Sequence, residues 1–255
     1  VLAVAFLVVN LPTILGGRYL QKEFLESMLS NANSMILDIL IILCLTTWLI
    51  RRSEKRREVQ RLEDEIDDFR RWNSDEAAHR IRGSILRLNK LDISKIKLSF
   101  CNLENADLAG AKLGGSDLHD TNFKNAFLQN ADLSFCNLGR ANLCGCNLSD
   151  ANLEGAHLEK ANLEGADASG INLEYADLAN TRFSRSILIG SYFYGANMDG
   201  AELIGADIQG TFDLLDAEEL QSADFTDAIM DDEVRESLSR INPTVKPLEK
   251  PIRIK

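Results

Sequence analysis

Histidine and cysteine, the residues that most often perform chemistry in proteins, are few in this chain and widely spaced. The histidines are His79, His119 and His157, whereas metal ligation or catalysis needs such side chains to converge on one site. Cys144 and Cys146 form the only close cysteine pair, and a one-residue spacing is not that of a zinc site. The sequence has no Gly-rich phosphate loop, His-Glu-x-x-His segment or nucleophile elbow. We therefore predict no catalytic residue, no metal site and no cofactor, and a chain that is not an enzyme.

A five-residue unit, Ala-(Asp/Asn)-Leu-x-x, recurs across residues 91–211. This repeat predicts the secondary structure that positions most of these histidines and cysteines. Leu108 and Leu113 are examples of its apolar centre, and Ala106 and Ala111 of the small residue two positions earlier. A period of five fits neither a helix nor a continuous strand, so the unit is predicted to be a short extended segment followed by a turn. The last residue of the unit is often Gly or Asn, which tolerate positive φ. Stacked coils would bury the small and large residues together.

This tandem repeat resembles the pentapeptide-repeat proteins. The resemblance implies a mainly β solenoid, a right-handed, four-sided β-helix of about six coils over residues 91–211. It is specific for the fold and weak for the function, because the repeated residues build the scaffold. With four units in each coil, Cys101, Cys136 and Cys146 replace the inward small residue on different sides. They are predicted to be reduced, buried thiols.

Two apolar runs, residues 1–15 and 34–50, precede the repeats. The first is short for a span of about 30 Å at about 1.5 Å per residue, which fits a truncated transmembrane helix. A remnant of a signal peptide and a buried hairpin helix are the alternatives. Basic residues cluster at positions 51–57, and the positive-inside rule places such a cluster in the cytoplasm. Residues 1–50 are therefore predicted to form two transmembrane helices that anchor the chain in the inner (cytoplasmic) membrane, with the β-helix on the cytoplasmic side.

The segments on either side of the repeats are predicted to close the solenoid. Residues 51–90 should form a charged amphipathic helix and then a capping helix that starts near Ser74. Beyond residue 211 the five-residue phase fails, so residues 212–240 are predicted to hold a helical insertion, a final partial coil two residues out of register and a closing helix. Prolines at 243, 247 and 251 predict an extended tail over residues 241–255.

Near the end of the repeats the predicted outer surface contains a group of apolar and aromatic residues in place of polar ones. Its outward-pointing members are Ile187, Ile189, Tyr192 and Tyr194, with Tyr175 and Phe135 in outward positions of earlier coils. A contiguous apolar and aromatic patch of this kind is a candidate contact site for a protein partner or for a second copy of the chain. Two alternatives are that the helical insertion or the closing helix covers the patch, and that it binds a small ligand.

The net charge and the distribution of acidic and basic residues distinguish between possible functions. A formal net charge of −11 argues against direct nucleic-acid binding through phosphates. The preferred hypothesis is a non-enzymatic, membrane-anchored scaffold whose rigid β-helix contacts an unknown protein partner. An alternative comes from the resemblance, because some family members imitate duplex DNA and bind a type II topoisomerase such as gyrase. Residues 92–211 contain sixteen acidic and eight basic residues, but the two signs are mixed around the rod, which weakens a phosphate-like array. An undetected ligand or enzyme site is the third possibility.

Overall fold

The computed structural model describes residues 22–246, with the side chains of residues 31, 32 and 35–246. The chain divides into two compact units, Val1–Arg57 and Glu58–Lys255. Its helical elements, in chain order, are α1 (Lys22–Phe69), α2 (Asp75–Lys90), a 3₁₀ turn (Leu214–Asp216) and α3 (Asp232–Leu238).

Helix α1 continues without a break to Phe69. The separate apolar helix that was predicted to end at residue 50 is therefore part of a longer helix. Residues 46–60 contain no Gly or Pro and include four Arg, two Glu and one Lys, so nothing there interrupts the helical hydrogen bonds. The predicted helix at residues 1–15 lies outside the described residues. Within residues 22–246, no helix combines the length and the hydropathy needed to cross a membrane. The two transmembrane helices predicted for residues 1–50 are thus not found in the described part of the chain.

Residues 96–229 wind into a β-solenoid in which one five-residue unit makes each side of a coil. Twenty successive parallel bridges join residues twenty positions apart, from Lys97 with Asp117 to Tyr192 with Phe212. Four units therefore complete one coil. In the described residues each side of a coil contributes a single bridged residue, because a turn begins two residues after it.

Burial alternates along each unit as the sequence pattern predicts. Ala156 and Leu158 are fully buried, whereas His157 between them is exposed. Three large aromatic centres, Phe123, Phe183 and Phe193, are also fully buried and help to fill the solenoid interior. Because side chains of the same register stack from coil to coil, removal of this apolar surface from water stabilises every coil against its neighbours.

Most polar residues at the inward small position form hydrogen bonds inside the solenoid, although the buried hydroxyl of Thr211 has no partner among the described residues. Thr121 Oγ1 donates to the carbonyl of Leu98 at 2.7 Å. Cys146 Sγ donates in the same way to the carbonyl of Phe123 at 2.7 Å. Each acceptor lies twenty-three residues before its donor, in the preceding coil. This repeated bond explains why Thr and Cys can replace Ala there without leaving a buried donor unpaired.

The buried thiols predict a loss of stability at high pH. Burial raises the pKa of Cys101, Cys136 and Cys146 from 9.0 to about 12. A group whose pKa is higher in the folded chain stabilises the fold below its unfolded pKa, and that contribution is lost as pH rises from about 9 to about 12. Each thiol contributes about 1.4 kcal/mol per pH unit in this window. Urea unfolding at about pH 8 and pH 10.5 should show a larger loss for the native sequence than for the triple Cys→Ala variant, and equal losses would refute the prediction.

Helices α1 and α2 close the N-terminal end of the solenoid within the second unit. Leu62 and Ile66 of α1 are buried in the same core cluster as Ile81, Ile85 and Leu88 of α2. Helix α2 begins at a regular N-cap, because the Ser74 side chain accepts a hydrogen bond from the backbone N–H of residue 77. The apolar faces of the two helices therefore cover core side chains that have no coil before them.

Side chains replace the missing backbone partners of the first coil. Asn89 Oδ1 accepts the backbone N–H of Lys112 at 2.8 Å, and Asn89 Nδ2 donates to the Lys112 carbonyl at 2.7 Å. In later coils the residues on either side of the bridge partner supply this pair of bonds, as Cys101 and Leu103 do for Asn122. The Arg70 guanidinium donates to the carbonyls of Ser99 at 2.8 Å and Lys97 at 3.1 Å. These contacts satisfy backbone groups at the end of the ladder.

The C-terminal end closes after a change of register. Asn197 bridges to Glu218, twenty-one residues on, so one extra residue is accommodated at the 3₁₀ turn. Glu202 bridges to Asp224, twenty-two residues on, so a second extra residue lies between Glu218 and Asp224. Asn242 is buried beyond α3 and donates through Nδ2 to the carbonyls of Leu220 at 2.6 Å and residue 223 at 2.7 Å. Asn242 thus satisfies carbonyls near this end of the solenoid, as Asn89 satisfies the backbone of Lys112 at the other.

Candidate functional site

Two aromatic pairs form the centre of the exposed patch. Tyr175 and Tyr194 lie in neighbouring coils and meet edge to face, with ring centroids 5.4 Å apart and an interplanar angle of 87°. Tyr192 stacks on Phe212 of the next coil, at 4.8 Å and 13°. Such pairs contribute about 0.5–1.5 kcal/mol each beyond the area that they bury. The rings therefore form an ordered surface on one side of the solenoid.

The adjacent side of the same coil extends this surface with two isoleucines. Ile187 is 42% exposed and Ile189 is 43% exposed, while Leu188 between them is fully buried. Tyr175 is 59% exposed, and Tyr192 is still 39% exposed. Neither the 3₁₀ turn nor α3 covers these side chains. Together these side chains form the aromatic surface, which consists of Tyr175, Ile187, Ile189, Tyr192, Tyr194 and Phe212.

Phe135 does not join the aromatic surface. It occupies the same corner position as Tyr175 but lies two coils earlier, and Gly155 stands between them. A Cβ on Gly155 would lie 2.6 Å from the Phe135 ring, and one on Gly195 would lie 2.9 Å from the Tyr175 ring. Each aromatic ring therefore lies over the glycine of the following coil, and Phe135 forms a separate exposed site.

The corner aromatics occupy a backbone conformation that favours glycine. The φ of Phe135 is 55° and that of Tyr175 is 57°, in the left-handed region that bulky residues rarely adopt. Such a residue costs of order 1–3 kcal/mol, whereas Asn or Gly would adopt the same turn with less strain. Aromatic residues at these corners therefore suggest selection for what the rings contact.

The packing of Tyr175 over Gly195 predicts a difference between two glycine substitutions. Gly195→Ala and Gly165→Ala share the same backbone strain, because the φ values are +63° and +65°, but nothing lies within 4 Å of a Cβ on Gly165. Displacing the Tyr175 ring also weakens its contact with Tyr194, so Gly195→Ala should cost about 1 kcal/mol more. Urea unfolding measures both costs. Asn at the preceding corner would still crowd the new Cβ, as Asn125 does at Gly145 at 2.6 Å, so the matched background is Tyr175→Gly. There the two costs should become equal, and a difference that persists would contradict this packing.

The aromatic surface belongs to the most acidic part of the chain. Between Arg185 and Arg235 there are twelve Asp and Glu residues and no Lys or Arg. Arg182 and Arg185 both pair with Glu164. The Arg185 guanidinium, through its hydrogen bond, lowers the pKa of Glu164 below its ordinary value. Acidic and basic residues are mixed around the earlier coils, but Lys and Arg are absent from the last coils, between Arg185 and Arg235.

The histidines and cysteines do not converge in the described structure. His119 Nδ1 lies 2.7 Å from Asp117 Oδ1 and its ring meets the edge of Phe100, while His157 is an exposed bridged residue. Cys144 is partly exposed and Cys146 is buried, and both are free thiols. Across residues 22–246, no three His, Cys, Asp or Glu side chains are grouped to hold a metal ion.

Phe212 is the member of the aromatic surface that sequence reasoning missed. It lies outside the run at residues 187–194 and next to the residue where the five-residue phase fails. The signal that identifies it is the coil period, because Phe212 is twenty residues after Tyr192 and bridges to it. Comparing residues that lie twenty positions apart therefore identifies neighbours on the surface that a comparison of adjacent residues misses.

The coil geometry defines a class of protein, a β-solenoid built from four-sided coils, here with exposed aromatic side chains on its outer surface. The sequence model for pentapeptide repeats matches eight copies, over residues 97–134, 136–174 and 176–212. The chain belongs to the pentapeptide-repeat family, which confirms the resemblance seen in the sequence. No curated protein sequence matches the chain significantly.

Several solved structures are similar to this chain. A pentapeptide repeat protein from the thylakoid lumen of Arabidopsis thaliana is 26% identical, with 50% of this chain and 77% of that chain covered and a TM-score of 0.27. HetL, a pentapeptide repeat protein involved in heterocyst differentiation regulation in the cyanobacterium Nostoc sp. PCC 7120, is 30% identical, with coverage of 54% and 78% and a TM-score of 0.20. QnrB1, a plasmid-mediated fluoroquinolone resistance protein, is 18% identical, with coverage of 61% and 90% and a TM-score of 0.31.

Proposed function

We propose that this chain is a non-enzymatic scaffold whose β-solenoid presents the aromatic surface to a protein partner. The observation that carries the proposal is the exposure of six large apolar side chains on adjoining sides of the last regular coils. Aromatic residues are enriched at the centres of protein interfaces because they bury a large area at a small cost in side-chain entropy.

The rigidity of the solenoid supports this role. The Tyr192 backbone bonds to the preceding coil, since its N–H donates to the Ile171 carbonyl at 3.0 Å and its carbonyl accepts from the Leu173 N–H at 3.0 Å. Its two chain neighbours bond to Phe212 of the following coil, since the Ser191 carbonyl accepts from the Phe212 N–H at 2.8 Å and the Phe193 N–H donates to the Phe212 carbonyl at 3.1 Å. The Tyr192 ring stacks on Phe212 in the free chain. A surface held in this way loses little conformational freedom when a partner binds, which favours affinity.

The second part of the proposal places the chain at the cytoplasmic side of the inner membrane, held through residues 1–50. In the described part of the first unit every side chain from Met35 to Ile50 is exposed, and the large apolar ones are 44–63% exposed. A helix surface this apolar is unfavourable in water. The Arg52 guanidinium lies 5.0 Å from the Trp48 ring centroid, and Trp and basic residues are both typical of the membrane–water interface.

Crosslinking and pull-down of the full-length protein test the contact surface. Replacing Tyr192 and Tyr194 together by Ser should remove one specific crosslinked partner. Asn152 and Glu154 occupy the same register two coils earlier, so the Asn152→Ser/Glu154→Ser variant is the matched control and should retain that partner. Identical crosslinks from both variants would exclude the aromatic surface as the contact site.

Membrane fractionation tests the anchor separately. The full-length protein should sediment with membranes and be released by detergent but not by high salt, because apolar contact is insensitive to ionic screening. Recovery in the soluble fraction would exclude the anchor and leave the contact surface unaffected.

Binding to a type II topoisomerase, through imitation of duplex DNA, is a second candidate function. The acidic stretch between Arg185 and Arg235 favours it. In earlier coils, however, carboxylates pair with bases of the neighbouring coil, as Asp120 does with Arg140, so the charge there is not phosphate-like. A purified protein that leaves the DNA supercoiling activity of gyrase unchanged would exclude this candidate.

A further inference from the structure

The charge around the aromatic surface restricts what can bind there. Glu174 directly precedes Tyr175, Asp213 directly follows Phe212, and Asp207 bridges to Ile187. The absence of Lys and Arg between Arg185 and Arg235 leaves the twelve acidic residues of that stretch without a basic partner from within it. A second copy docked face to face would bring like charges together, which is unfavourable. The surface instead suits a ligand that combines apolar groups with positive charge.

The C-terminal segment of this chain has that composition. Residues 247–255 read Pro-Leu-Glu-Lys-Pro-Ile-Arg-Ile-Lys and lie outside the described residues. Three basic residues accompany one acidic residue, and from Ile252 onward apolar and basic residues alternate. In an extended chain this alternation places Ile252 and Ile254 on one face. The long Arg253 and Lys255 side chains can bend around the edge of the chain toward carboxylates beside that face. Two prolines reduce the freedom of the unbound segment and so lower the entropy cost of binding.

The point at which this segment leaves the solenoid brings the surface within reach. Thr244 Oγ1 accepts the backbone N–H of Phe225 at 2.9 Å, which fastens the chain to the last coil. From that coil Ile187 is two steps away, through the bridges of Ile229 with Asp207 and Asp207 with Ile187, or about 10 Å at ~4.8 Å per coil. Residues 247–255 can extend to about 30 Å at ~3.3 Å per residue. The segment is therefore long enough to cross from one side of the solenoid to the next.

We propose that residues 247–255 bind to the aromatic surface of the same chain, with Ile252 and Ile254 against the rings and the basic side chains against the surrounding carboxylates. Arg253 can also lie over a tyrosine face, where cation–π attraction adds to the charge pairing. This inference goes beyond the proposed function, because it requires neither a partner nor a membrane. It implies that any partner of the aromatic surface must displace the segment.

Photo-crosslinking in the purified full-length chain tests the proposal. A benzophenone amino acid at position 252 should crosslink to residues 175–212 of the same chain. Charge reversal at Lys250, Arg253 and Lys255 to Glu should lower the yield at least five-fold, and about 0.5 M salt should also reduce it, because charge attraction is screened. Tyr192→Ser/Tyr194→Ser should weaken the crosslink, whereas Asn152→Ser/Glu154→Ser should not.

Mixing isotope-labelled and unlabelled chains before irradiation distinguishes the possible occupants. Crosslinks confined to chains of one label support binding within the chain. Crosslinked pairs of mixed label would overturn the proposal in favour of a second copy, and crosslinks that map away from residues 175–212 would overturn it altogether. The purified sample contains no partner, so a failure here leaves the proposed scaffold function untouched.

Discussion

Leu163→Asp should abolish the cooperative unfolding transition of the solenoid. Leu163 is fully buried at an apolar centre, so the variant loses about 2–3 kcal/mol of apolar burial. It also places a carboxylate where no partner is available, which costs several kcal/mol more. Together these losses approach the whole stability of a typical domain, about 5–15 kcal/mol. Thermal unfolding followed by circular dichroism should show no sharp transition.

The neighbouring residue provides the control for this prediction. Asn162 points outward, and its Oδ1 accepts the backbone N–H of Glu164 at 3.1 Å, a bond that an aspartate can also accept. Asn162→Asp should therefore change stability by no more than about 0.5 kcal/mol. The reverse result, with Leu163→Asp tolerated and Asn162→Asp unfolded, would place the register of the coils one residue away from that described.

Asn242→Leu should release the C-terminal closing segment. The substitution removes two hydrogen bonds, to the carbonyls of Leu220 and residue 223, and also the acceptor for the N–H and hydroxyl of Thr244. Each buried group left unpaired costs roughly 1–3 kcal/mol, so a loss of about 3–5 kcal/mol is expected. Hydrogen exchange should show lost protection of the Phe225 amide, which donates to Thr244.

Asn152→Leu is the comparison for the closing segment. Asn152 lies on the outer surface and makes one local bond, to the N–H of Glu154, so its replacement should cost no more than about 1 kcal/mol. If Asn242→Leu were as mild as Asn152→Leu, the closing role of Asn242 would be wrong.

The interior of the solenoid could be predicted from the sequence because every unit repeats the same information. Ala156 and Leu158 belong to one of many copies of the pattern, and the period leaves one way to bury them together. Corner residues such as Gly165 were expected to adopt positive φ, and this one has φ +65°. The expected family was correct for the same reason.

The closure of the two solenoid ends and the extent of the aromatic surface depend on single residues. The five-residue period does not identify such residues. Asn89 and Asn242 are unremarkable in the sequence, yet each satisfies backbone groups near one end of the solenoid. Helix α1 runs through the boundary expected at residue 50, because apolar and charged stretches can share one helix when no Gly or Pro separates them. Phe135 was grouped with Tyr175 by position, although the coil of Gly155 separates their rings.

The most direct test of the scaffold account is site-specific photo-crosslinking in intact cells from position 192, compared with position 152. Both positions are bridged, outward residues of the same column, two coils apart, so a crosslinker at either one samples the same local geometry. Position 192 should capture one defined protein, and position 152 should not. Capture of the same proteins from both positions, or of none from position 192, would contradict the proposed scaffold function.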